Sequence, residues 1–144
     1  MLRAVSRASL SMATNNTKYL VKEKGGSLIP TTSSKPTISQ PNEVMIRMKA
    51  IAINPADAKM IDFGGRVTSW PFVPGLDGAG IVEEVGPEVK KVAVGDEVLA
   101  LFAAEDRGGS YQNFAVVPER NVAKKPATWS FEDAASLGCV VPLP

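Results

Sequence analysis

Three short apolar runs, "AGIVEEVG", "DEVLALFA" and "SYQNFAVVP", follow one another along this chain, with Gly, Pro and Asp at their boundaries. β-prone runs at this spacing predict a barrel or sandwich of short strands rather than a parallel βαβ sheet. The segments before them fit the same plan. "KYLVKE" reads as a short first strand, and "GGSLIPTTSSKPTISQPNE" as a loop rich in Gly, Pro and Ser. "EVMIRMKAIAIN" sends Val44, Ile46 and Met48 to one face, then shifts phase at Ala50 to Ile51 and Ile53, which predicts a bulge or bend.

Helices have little room. Pro55 at a first helical position, after Asn54, opens "ADAKMID", and Gly64 and Gly65 end it. Ser130 reads as the N-cap of a second short helix, with Glu132 and Asp133 in its first turn, where the helix dipole favours carboxylates. Pro142 and Pro144 keep that helix from running on.

With 144 residues, 44% of them apolar and 22% charged, the chain has the size and composition of one ordinary domain. A formal net charge of +1 gives no electrostatic footprint for nucleic acid or an anionic membrane surface. No apolar run approaches the ~20 residues of a membrane-spanning helix. The first 22 residues are basic and Ser-rich, the composition of a mitochondrial presequence or of a loose tail ahead of a second start at Met12. The expected division is therefore a tail or targeting segment over residues 1–17 and one domain over 18–144, in the cytoplasm or alternatively in mitochondria.

The chain contains no histidine and a single cysteine, Cys139. No His/Cys set for catalytic or structural zinc can be assembled from it, and no imidazole is available as the base of a hydrolytic triad. No internal disulfide is possible. Cys139, beside Ala, Leu and Val and at the far end of the second helix, reads as a small buried hydrophobe rather than an activated thiol.

Taken in order, "IAINPADAK", "VPGLDGAGIVEEVG", "VGDEVLAL", "GGSYQNFAVVP" and "FEDAASLG" resemble the N-terminal, GroES-like catalytic domain of the medium-chain dehydrogenase/reductase superfamily. The resemblance runs from about Lys18 to Cys139 and is strongest to the zinc-independent quinone oxidoreductases and fungal-type enoyl reductases. It implies a mainly β fold, a GroES-like, partly open β-barrel with short helices. Zinc-binding relatives have a Cys early in the segment matching "AINPADAK" and a His-Glu pair where this chain has Leu76 and Asp77. That difference implies a metal-free site. Gly75, Gly78 and Gly80 precede a strand instead of opening a helix, so they read as barrel-shaping residues, not a nucleotide fingerprint.

The resemblance also implies roles. Asn54, Asp57 and Lys59 would face the nicotinamide end of the cofactor, Lys59 with a catalytic part, and Gly138, Cys139 and Val140 would line the substrate side of the cleft. The reaction implied is hydride transfer from a nicotinamide cofactor, usually NADPH, to an enone or a quinone. No Gly-rich turn at a strand-to-helix junction occurs in the 144 residues, so the Rossmann domain that holds such a cofactor is expected to be absent. The expectation is a catalytic-domain fragment, inactive alone and binding NADPH weakly, with an exposed cleft that favours self-association. Two alternatives stay open: a half-enzyme completed by a separate cofactor domain, and a non-enzymatic interaction module. Tyr111 and Asn113 read as strand residues facing core and solvent by turns.

Overall fold

A computed structural model describes residues 15–138. Seven strands and two short α-helices make a mainly β fold in two sheets. The strands are β1 (Asn16–Leu20), β2 (Ile29–Ser33), β3 (Glu43–Ala52), β4 (Asp77–Val85), β5 (Glu97–Leu101), β6 (Phe114–Pro118) and β7 (Val122–Lys124). The helices are α1 (Pro55–Phe63) and α2 (Phe131–Ala135). β1 and β2 form a two-stranded ribbon, and the rest form one sheet in the order β6-β3-β4-β5-β7. Every strand pairing is antiparallel. The main sheet does not close into a barrel, which agrees with the partly open architecture read from the sequence.

β3 is the longest strand and carries the irregularity that its phase shift predicts. Its register against β4 slips between Met48 and Ala50, and again between Met45 and Ile46. Ordinary strand alternation points Val44 and Ile46 to the interior with Val82, Val98, Phe102, Val117 and Val122. Each such fully buried aliphatic side chain contributes about 1.5–3 kcal/mol relative to exposure. Met45 turns the other way, onto Phe114 and Val116.

Three sequence expectations need correction. The Gly/Pro/Ser-rich loop contains β2, which is held by β1 along one edge. β1 opens at Asn16, two residues ahead of the strand start read at Lys18, and the buried Asn16 carboxamide donates to Gln112 and accepts from the Phe114 amide. Tyr111 and Asn113 precede β6 rather than belonging to it, in a bend that the Tyr19 and Met48 amides reach by donating to their carbonyls.

Of the two helices, α2 packs on β3, β4 and β5. α1 starts at Pro55 and ends at Gly64, whose left-handed φ of 74° directs its amide to the Met60 carbonyl. Met60 enters a second apolar cluster with Val21, Phe72, Leu76 and Ala104. Ser130 caps α2 by accepting the Asp133 amide, and the small Ala134 and Ala135 seat α2 against Ala79 and Leu99.

Candidate functional site

The site is built where β3 hands over to α1. Asn54 has extended backbone (φ −108°, ψ 150°) and immediately precedes Pro55, as a residue before proline must avoid the helical region. Its amide donates to Asp57 Oδ2 at 2.8 Å, and its side-chain Nδ2 donates to Asp77 Oδ2 at 2.6 Å. The Tyr111 hydroxyl donates to the same Asp57 oxygen at 3.2 Å. Asp57 and Asp77 are each 1% exposed. Two buried carboxylates from different elements are thus joined through one asparagine.

This network is incomplete. Asp57 Oδ1, Asp77 Oδ1 and the Ser110 hydroxyl are buried without a hydrogen-bond partner among the described residues. Buried polar oxygens of this kind are uncommon in folded proteins and call for a reason. Gly138 lies against one of them: a Cβ at this position would collide with Asp77 Oδ1 and come within 2.9 Å of the Ala100 carbonyl oxygen. The end of α2 is thereby brought to the Asn54–Asp77 pair. Burial first, and then the Asp57 charge and the hydrogen bond to it, push the Tyr111 phenol well above its usual range.

Lys59 stands apart. It follows Asp57 by two residues, about 200° around the helix, so the face that buries Asp57 turns Lys59 outward. There Lys59 lines an open cleft of about 380 Å³ with Ala56, Met60, Phe63, Gly65, Arg66 and Leu76. Of the expected site residues, Asn54, Asp57 and Gly138 come together around Asp77, and Lys59 lines the cleft instead. Cys139 and Val140 lie outside the described residues.

Asp77 and Tyr111 were not singled out as site residues in the sequence. Asp77 had a signal, an acid inside the otherwise apolar and Gly-rich "PGLDGAGIV", where only a partnered carboxylate is tolerated. Tyr111 had none, since its partner is 54 positions away.

No group of three or more His, Cys, Asp or Glu side chains that could hold a metal occurs among the described residues. The potential donors at the handover are a carboxamide and two carboxylates, a hard oxygen set unlike the His/Cys sets that suit zinc.

A mainly β GroES-like domain, with its polar network at the start of α1, is the class this fold and site define. The chain belongs to the alcohol dehydrogenase GroES-like domain family, whose pattern it matches over residues 40–127. It is 36% identical over 131 residues to the dehydrogenase orsE of Emericella nidulans, which covers 85% of this chain and 36% of that protein. It is 37% identical over 121 residues to a trans-enoyl reductase of Gibberella fujikuroi, covering 80% of this chain and 33% of the relative. Among solved structures, the quinone oxidoreductase of Pseudomonas syringae pv. Tomato superposes with a TM-score of 0.75 at 32% identity, over 85% of this chain and 37% of that one. The chain spans about a third of the length of these relatives, corresponding to their N-terminal part. Among the described residues no helix is long and apolar enough to cross a membrane.

Proposed function

We propose that this chain supplies the catalytic-domain half of a zinc-independent, NADPH-dependent reductase acting on an activated alkene or a quinone. The observation that carries the reading is the Asn54–Asp77 hydrogen bond at the mouth of α1, beside a cleft that presents Lys59. NADPH, when bound, supplies a hydride to the β-carbon of the alkene. The residues present fit its nicotinamide end. Asn54 is fixed by two hydrogen bonds and keeps its side-chain carbonyl and a second N–H for a carboxamide group.

The chain's own residues then have distinct tasks. Asp77 orients Asn54, and Asp57 holds the first turn of α1 through the Asn54 amide. Lys59 offers an ammonium to the substrate carbonyl oxygen, where negative charge grows in the transition state. The proton for the α-carbon would come from Lys59, from water, or from the ribose of the cofactor when bound. Gly138, which lies against Asp77, marks the substrate side of the site. The residues here reach one end of the dinucleotide only. Losing about 4 kcal/mol of the other contacts weakens binding roughly a thousandfold.

The test is a titration of the isotope-labelled chain with NADPH, alongside assays on simple enones and quinones and elemental analysis. The expected result is weak, millimolar-range binding that perturbs the amides of Asn54 and Lys59, no turnover by the chain alone, and no stoichiometric zinc. Perturbation confined to other residues sinks the site assignment. Micromolar binding with turnover overturns the half-enzyme reading, and one tightly held zinc per chain overturns the metal-free one.

A further inference from the structure

The cleft beside α1 has a two-part chemistry. Its floor is apolar, from Ala56, Met60, Phe63 and Leu76, and its charged lining residues are Lys59 and Arg66. No lining residue is acidic; Asp62, on the same helix, does not line the cleft. Neither the Lys59 nor the Arg66 side chain forms a hydrogen bond or ion pair with another described residue, whereas Lys18, Lys35, Arg47, Arg107, Lys124 and Lys125 are all paired.

Two further features shape this cleft. Ala56, Lys59, Met60 and Phe63 recur at i, i+3, i+4 and i+7, which lays one continuous stripe of α1 along it. Phe63 is 71% exposed, leaving a large ring against water at the stripe's end. Beyond it the chain turns back at Gly64, and Arg66 adopts a left-handed φ of 66°, a conformation that non-glycine residues seldom take. This turn, closed by the Val67 amide donating to the Gly64 carbonyl at 3.3 Å, brings Arg66 back to the rim.

We propose that the cleft binds a small free molecule in which an apolar chain carrying the activated alkene ends in a carboxylate, and that Arg66 is the residue that selects for the charge. The proposal deepens the reductase reading, on which it rests, by naming the substrate class at the same cleft. The apolar stripe removes the chain from water, and Arg66, with five donors and a permanent charge, pairs the carboxylate at the rim. Lys59 lies inside the stripe and stays available to a carbonyl oxygen. A volume of about 380 Å³ suits a ligand of this size.

The experiment uses the labelled chain with octanoate and, as the uncharged counterpart, octan-1-ol, followed by amide chemical shifts. Octanoate is expected to shift amides between Ala56 and Val67 and to bind about fivefold more tightly than the alcohol, the scale of one solvent-accessible charge-assisted contact. Arg66→Gln should abolish that preference without moving octan-1-ol affinity, and Arg66→Lys should restore part of it. Equal affinity for acid and alcohol, shifts outside this segment, or an unaltered preference in R66Q would overturn the proposal. So would sedimentation with phosphatidylglycerol vesicles in the absence of any octanoate response, which would make the cleft a lipid-surface contact. NADPH perturbation at Asn54 is read separately, so a failed charge preference with intact NADPH shifts sinks only this inference, and the reverse outcome sinks the reductase reading.

Discussion

The Asn54 side chain donates to Asp77 at 2.6 Å across the junction of α1 and β4, and Asp77 is almost wholly buried. A buried hydrogen bond of this kind matters more than an exposed one, because removing one partner strands the other without solvent. Asn54→Ala and Asp77→Ala should each lower stability by about 1–3 kcal/mol. The double variant should cost less than the two singles together, with a coupling of about 1 kcal/mol or more. Urea unfolding of the four proteins checks this. Strict additivity would mean that the pair meets without mattering energetically.

Tyr111 shares Asp57 with the Asn54 amide, and its phenol is held neutral to higher pH than in an unfolded chain. A group whose folded value is raised contributes stability below its unfolded value, and that stability is lost as pH climbs. Stability should therefore fall from about pH 10 upward, because unfolding releases a tyrosine that ionises freely. Tyr111→Phe should cost about 1 kcal/mol at neutral pH and flatten the alkaline slope. Melting curves between pH 8 and pH 11, a range set by the ordinary tyrosine value, decide it. An unchanged slope in Y111F would assign the alkaline loss to other groups.

The sequence makes the fold legible where strands alternate or run apolar between turn residues, as in β3 to β6. It hides β2, since "IPTTS" carries a proline and polar residues and is held along one edge by its pairing with β1. β7 escapes because three residues leave no period to see. The same division holds at the site. Pro55 and the acid at Asp57 announce a helix start, so Asn54 and Asp57 can be found locally. Their partners cannot, because Asp77 and Tyr111 are set beside them by the pairing of β3 with β4 and by the bend before β6. Helical geometry then divides Lys59 from Asp57, although two residues apart in the sequence they look like one cluster.

Gly75 precedes β4 with a φ of 99°, and an added Cβ there would collide with the Ser110 hydroxyl and the Tyr111 ring. Gly95 has nearly the same backbone, φ 92°, but open space around it. Both glycine-to-alanine changes impose the strain of an unfavourable φ, about 1 kcal/mol or somewhat more. Gly75→Ala adds a steric clash within a buried region and should cost about 3 kcal/mol or prevent folding. Thermal unfolding of the pair separates the contributions. Equal losses would show that backbone strain alone matters at Gly75.

Glu43 anchors the start of β3 to two loops at once. One carboxylate oxygen accepts the Ser39 and Gln40 amides at 2.8 and 3.0 Å, and the other accepts Arg107 at 2.9 Å. Burial alone would raise its pKa, but the Arg107 and backbone hydrogen bonds together outweigh it and bring the carboxyl down to about 2 from 4.5. With the folded value depressed, the stabilisation is present above the unfolded value of about 4.5 and fades as pH drops toward 2. Solvent reaches the Arg107 side, 38% exposed, so the contribution at neutral pH is on the order of 1–2 kcal/mol rather than the full value the shift would give. Glu43→Gln keeps the shape and removes the titration. The stability gap between the wild-type protein and E43Q, measured by urea midpoints, should be largest at neutral pH and shrink between about pH 4.5 and pH 2. A gap independent of pH would mean that Glu43 acts through its hydrogen-bonding shape and not through its charge.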